Sequence, residues 1–123
     1  MPSLIKSLLN NQDETCSYGG YVRDYIYVKD VASAIVTCLF SDYTGFVNVA
    51  GGAETSIQDI ANIIIEKTNT SAKVHFKSKE ESGLQPEYIA GDVSLLKSLG
   101  WKQEYSIEQG LAEEIEFFKG KND

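Results

Sequence analysis

A chain of 123 residues, 42% hydrophobic and 24% charged, has the size and balance of one folded domain, which excludes a disordered tail or linker. Eleven basic residues against eighteen acidic ones leave a net charge of −7, and no basic run is dense enough for a nucleic acid or an anionic membrane surface. No apolar run reaches the length of a membrane span and two cysteines build no disulfide framework, so the sequence reads as a soluble chain of the reducing cytoplasm.

In chain order, Leu4, Ile5, Leu8 and Leu9 follow Pro2 at the spacing of one helix face and predict a short helix over 2–9. Residues 10–15 are polar and loop-like, and 16–18 read as a short strand entering a Gly19-Gly20 turn. The stretch Arg23-Asp-Tyr-Ile-Tyr-Val-Lys-Asp30 then organises the chain. Its row of β-formers, Tyr25 to Val28, predicts a strand; Asp30 offers a cap, and the apolar run 31–40 predicts a buried helix. Arg23 stands without a basic neighbour. Beside a glycine turn its guanidinium suits a phosphate or carboxylate held in bidentate fashion; an ion pair with Asp24 or Asp30 is the other reading, and spacing alone does not separate the two.

Phe46-Val-Asn-Val-Ala50 predicts a second short strand ending in Gly51-Gly52. Thr55-Ser-Ile-Gln58 has the form of a capping box, and Ile57, Ile60, Ala61, Ile64 and Ile65 continue it as one broad apolar helix face. Residues 73–77 alternate with period two and predict an edge strand carrying His75; a lone histidine is short of the three or four ligands a zinc site needs. Residues 78–85 are polar and loop-like, and Pro86 fixes a turn or an extended piece. Asp92 is placed to cap a helix through Leu95, Leu96 and Leu99, Gly100 to stop it, and Trp101 to pack back on it. A second box, Ser106-Ile-Glu-Gln109, opens a final helix with Ile107, Leu111, Ile115 and Phe118 on one face. The expected domain covers 1–120, with 121–123 as a polar tail.

The chemistry of a self-sufficient enzyme is absent: no nucleophile with its base, no metal cluster and no G-x-G-x-x-G loop. Tyr25 and Lys29 have the Tyr-x-x-x-Lys spacing, but in a strand residues four apart are roughly 13 Å apart, too far for the lysine to act on the phenol. The carboxylates, including the acidic run from Glu113 to Glu116, read as a solvated face.

Taken together, these strings resemble the C-terminal region of the extended short-chain dehydrogenase/reductases that act as nucleotide-sugar epimerases and dehydratases. The likeness rests on Arg23-Asp-Tyr-Ile-Tyr-Val-Lys-Asp-Val-Ala32, Phe46-Val-Asn-Val-Ala-Gly-Gly52, Gly91-Asp-Val-Ser94, Leu99-Gly-Trp101 and Tyr105-Ser-Ile-Glu-Gln-Gly-Leu111, in that order. It implies an α/β fold: a small mixed domain of about five helices and a few short strands, the C-terminal part of an extended Rossmann-type enzyme lacking its cofactor-binding half. It also implies that the domain holds a nucleoside diphosphate sugar while a separate Rossmann half, binding NAD or NADP, oxidises the sugar at carbon 4.

By the same resemblance Arg23 would contact the diphosphate, Tyr25 would lie beside it, and Cys16 and Tyr18 would border the nucleobase. Gln85, before Pro86, stands where such enzymes carry a second diphosphate arginine; it donates hydrogen bonds without charge. No catalytic or cofactor-binding residue is assigned to this chain, which alone is expected to be inactive. Met1-Pro2 matches the interior of the family pattern, as a piece beginning mid-protein would. The missing half is expected in cis or as a separately encoded chain, and without it an apolar surface and a strand edge should lie open and drive homo-oligomerisation. The alternative is a non-catalytic small-ligand-binding or protein-interaction module in which Arg23 is structural.

Overall fold

The computed structural model describes residues 1–51 and 54–121. In chain order its elements are α1 (Pro2–Leu9), β1 (Glu14–Cys16), β2 (Val22–Arg23), α2 (Val28–Leu39), β3 (Thr55–Ser56), α3 (Ile57–Thr68), β4 (Val74–Phe76), β5 (Tyr88–Ile89), α4 (Ser94–Ser98) and α5 (Ile107–Lys121). The α/β class and the five helices match the sequence expectation. Gly52 and the last two residues of the expected tail lie outside the described residues, whereas Lys121 closes α5 instead of fraying.

The core is a layer of three helices. Leu4, Ile5 and Leu8 of α1, Ile60, Ala61 and Ile64 of α3, and Leu111 and Ile115 of α5 interlock, all almost fully buried. These are the faces that the 3.6-residue period selects. Parallel strands β1 and β4 pair Glu14 with Val74 and Cys16 with Phe76, and their inward side chains close one side of this layer. A second sheet, in the order β3-β2-β5, pairs Val22 and Arg23 antiparallel to Ser56 and Thr55 and parallel to Tyr88 and Ile89. A smaller cluster gathers Ala34 of α2, Leu96 of α4 and Trp101, with Ile26, Cys38 and Val47 against them.

Local signals placed the helix ends well where capping decides them. Ser106 Oγ accepts the Gln109 N–H at 3.1 Å and Gln109 Oε1 accepts the Ser106 N–H at 2.9 Å, the reciprocal box read from sequence. The first box is displaced by one: Ser56, not Thr55, is the N-cap and accepts from the Asp59 N–H, because Thr55 is buried in the β3 ladder. The third helix start is also displaced by one: Val93, not Asp92, is the N-cap of α4. Asp92 Oδ1 takes the Ser94 N–H and O–H from one residue further back, while Gly100, at φ +101°, follows the end of α4 as expected.

The organising stretch departs further from expectation. Its strand is two residues long and ends at Arg23; residues 24–27 run on without a ladder, and the helix starts at Val28 with Tyr27 as N-cap. Asp30 therefore lies inside the first turn and caps nothing on its own helix. It is 1% exposed, and its two oxygens accept the backbone N–H groups of Glu104 (2.9 Å) and Tyr105 (3.1 Å). Trp101 Nε1–H donates to the Asp30 carbonyl and to Ser33 Oγ, so the segment leading into α5 is tied to α2 at four points. Gly110 of α5 then meets Tyr27, where an added Cβ would come within 2.9 Å.

Two further expectations fail. Residues 46–50 form no strand, and α2 is buried on one face only: Val28, Ala32, Ile35, Val36 and Leu39, at i, i+4, i+7, i+8 and i+11, are exposed. Leu39 is 75% and Phe46 98% exposed, so α2 carries a second apolar face that nothing among the described residues covers.

Asp30→Ala leaves the Glu104 and Tyr105 amides without their acceptor and is expected to cost about 3 kcal/mol in urea unfolding, with Asp30→Asn, which keeps one acceptor oxygen, losing less. Equal loss in the two variants would show that filled volume, not the paired oxygens, is what matters there.

Candidate functional site

The residues expected to meet a nucleotide come from the ends of β1 and β2, from the stretches that follow each of them, and from the loop between β4 and β5. Arg23, at the end of β2, turns its guanidinium onto backbone carbonyls: Nη1–H donates to Val22 O (2.8 Å) and Glu87 O (3.4 Å), and Nη2–H to Pro86 O (3.0 Å). Its carbon Cζ stands 5.2 Å from the Tyr21 ring centre, over a tyrosine that is itself fully buried. Arg23 makes no ion pair with a carboxylate among the described residues. Asp24 Oδ2 accepts the Gly91 N–H and Asp30 is turned to Glu104 and Tyr105, so the ion-pair reading of Arg23 does not hold. An arginine has five N–H donors; with three contacts made, the Nε–H and one Nη2 hydrogen have no acceptor among the described residues.

Tyr18 stacks edge-on against Tyr21, ring centres 5.3 Å apart, and its backbone N–H donates to Ser82 Oγ at 2.8 Å. It borders a cleft of about 520 Å³ together with Gly20, Gln58, Phe76, Lys77 and Glu81. The tyrosine ring occupies the space above Gly20, where a Cβ would lie 2.6 Å from it. The Gly19-Gly20 turn is thus a close-packing device. Cys16 ends β1, and its carbonyl accepts the Lys77 N–H. Gln85 is exposed and donates Nε2–H to Ser82 O, within its own loop.

Tyr25 lies half-buried against the three-helix layer and lines a second, apolar groove of about 490 Å³ with Ile26, Tyr27, Leu111 and Phe117. Burial raises its phenol above the ordinary tyrosine value; the Arg23 charge opposes this and Cys16 adds to it, so the three are electrostatically coupled. Burial, with Glu14 beside it, likewise raises the Cys16 thiol. Lys29 shares no helix face with Tyr25 and pairs instead with Glu113 (3.0 Å), which also accepts the Tyr27 O–H (2.6 Å). The Tyr27 hydroxyl and the Lys29 ammonium hold Glu113 below the usual carboxylate range. Glu113 is therefore more than one member of a solvated acidic run.

Missed from sequence was the order in residues 78–82, read as a polar loop. Ser78 N–H donates to Glu81 Oε2 and Glu81 N–H to Ser78 Oγ, a capping box for a single turn. The Ser-x-x-Glu spacing was there to be read.

The GDP-mannose 4,6 dehydratase family matches residues 1–114 of the chain. The CDP-abequose synthase of Salmonella muenchen is 30% identical over 114 residues, 90% of this chain and 39% of the synthase. The UDP-glucose 4-epimerase of Thermotoga maritima, solved with UDP-glucose, superposes with a TM-score of 0.88 at 24% identity over 98% of this chain and 39% of that one. The Bordetella bronchiseptica enzyme WbmF, solved with NAD+ and UDP, superposes with a TM-score of 0.81 at 29% identity over 98% of this chain and 36% of its own. The chain thus spans less than two fifths of the length of these relatives and corresponds to their C-terminal portion.

Because the folded state keeps Tyr25 protonated to higher pH than the unfolded state does, its contribution is complete below about pH 10 and is lost as pH rises through the raised value. The unfolding free energy of the wild-type chain should therefore fall more steeply above about pH 10 than that of Tyr25→Phe; parallel pH profiles for the two would count against a desolvated phenol here.

Proposed function

Since the chain belongs to the GDP-mannose 4,6-dehydratase family, among the extended short-chain dehydrogenase/reductases, we propose that it is the nucleotide-sugar-holding part of an NAD(P)-dependent epimerase, dehydratase or reductase. The observation that carries this is Arg23. Its guanidinium is fixed by three carbonyl contacts and keeps N–H donors in reserve, which suits the oxygens of a diphosphate. Tyr18 and Cys16 would border the base, Tyr25 would flank the diphosphate, and Gln85 would add an uncharged donor. Relatives named for CDP and UDP sugars support the substrate class and leave the base to experiment.

The sequence carries no G-x-G-x-x-G loop to cradle a dinucleotide. Gly20 and Gly51 are used in packing the chain on itself, Gly20 under Tyr18 and Gly51 against the Tyr25 carbonyl, where a Cβ would lie 2.0 Å from the oxygen. The cofactor, NAD or NADP, would sit in the portion of the parent enzyme that this chain does not span, and hydride transfer and proton abstraction would belong to that portion. Its docking face would be the exposed stripe of α2 with Phe46 and Val49, which accounts for a helix apolar on two sides. In its absence that face would make the chain self-associate. A cytoplasmic location agrees with this chemistry, and no helix among the described residues is long and apolar enough to cross a membrane.

Titration of the chain with CDP-, GDP- and UDP-sugars is expected to single out one base, with Arg23→Ala weakening it roughly thirtyfold, about 2 kcal/mol. Binding indifferent to Arg23, or to none of the nucleotides even with the cofactor half restored, would refute the assignment. In sedimentation velocity the isolated chain should form oligomers at high concentration that the cofactor half dissolves; a clean monomer would count against the docking face.

A further inference from the structure

Four of the five candidate nucleotide residues are gathered by one segment, residues 77–91. The Lys77 N–H binds the Cys16 carbonyl, Ser82 Oγ accepts the Tyr18 N–H, the Pro86 and Glu87 carbonyls hold Arg23, and Gln85 lies on the segment itself. It returns to the body of the domain through Val22 N–H to Glu87 O and Gly91 N–H to Asp24 Oδ2.

Almost nothing apolar anchors it. Every residue from Lys79 to Ile89 is exposed except Ser82, and Leu84, at its outermost point, is fully so. Its order comes from polar ties. Among those the Lys79–Glu87 pair is a surface ion pair and weak by itself, and the Ser78–Glu81 box is local to one turn. Across to the segment from the domain body reach the β2 ladder to Tyr88 and Ile89, Asp24 to the Gly91 N–H, Glu54 to Tyr88, and Arg23, the one cation among these ties within the described residues, to the Pro86 and Glu87 carbonyls.

We infer that residues 77–91 form a strap whose order and the grip of Arg23 on an anion are a single coupled equilibrium. The strap carbonyls fix the guanidinium and so present its remaining N–H donors; an anion on those donors, in turn, holds the guanidinium against the strap. The two effects are equal by linkage. Ser82 is a positioning residue, acting on the anion only through Tyr18 and the strap. The anion part of this inference rests on the nucleotide reading of Arg23, whereas the tie between Arg23 and the strap does not.

The test has a ligand-free arm and a binding arm. In amide hydrogen exchange without ligand, Arg23→Ala should speed exchange at Tyr18, Val22 and Gly83 about tenfold or more, Arg23→Lys should repair this only in part, and the amides of α3 should be unchanged as a check on folding. Exchange at those three amides that ignores Arg23 would overturn the strap whatever binds. In the binding arm, Ser82→Ala should weaken the preferred nucleoside diphosphate about two- to tenfold by freeing the Arg23 side chain, and this loss should vanish in an Arg23→Lys background. A loss of the same size in both backgrounds would overturn the coupling. If no nucleoside diphosphate binds the wild-type chain or the chain with its cofactor half restored, the nucleotide reading and the anion half of the inference fall together, while the exchange arm still decides the strap.

Discussion

The Asp30 carboxylate is the contact on which the rest of this domain depends. A buried aspartate near a helix start ordinarily serves its own helix; here both oxygens are given to the amides of Glu104 and Tyr105. That bond sets where the chain enters α5, because Ser106, the next residue, is already the cap. The position of α5 brings Gly110 onto Tyr27 and Glu113 onto Tyr27 and Lys29. The apolar groove beside Tyr25 is the space left between these partners. An interaction buried in one place thus shapes a surface several residues away in space.

The candidate site is assembled on two footings of unequal firmness. Tyr25 is set by hydrophobic packing on the three-helix layer, a contact that resists local opening. Arg23, Tyr18 and Gln85 are set by hydrogen bonds to an exposed segment that buries almost no apolar surface. A site built this way has a rigid wall and an adjustable one. The adjustable wall carries Gln85, exposed and bonded only within its own loop, so a substitution there falls where the fold can tolerate it.

What could be read from the sequence was what local periodicity records. The apolar faces of α1, α3 and α5, the box at Ser106 and the stop at Gly100 all follow from residues within one or two turns of each other. The two-residue strands did not declare themselves, because β2, β3 and β5 are defined by partners far along the chain, and a row of β-formers at Tyr25 to Val28 was a stronger local signal than the ladder that formed before it. Asp30 looked like a cap because its role is fixed from outside its own helix. For the site, Arg23 stood out as a cation without a basic neighbour, with an ion pair to Asp24 or Asp30 left open; what decided between the two readings, the Pro86 and Glu87 carbonyls, lies more than sixty residues on and carries no side-chain signature. The second apolar face of α2 was visible as hydrophobicity and was mistaken for burial; composition alone does not say which of two faces has a partner.

The reach of the Asp30 bond also bears on how the chain comes to its fold. The carboxylate and the Tyr105 amide are 75 residues apart, and both parallel pairings likewise join early residues to late ones. Closing such loops costs entropy before any contact repays it, so the helices form on a far shorter timescale than the clamp that orders them. Any α2 helix that forms before residues 101–105 arrive has apolar residues on both sides and a partner on neither, a species open to association with its own kind.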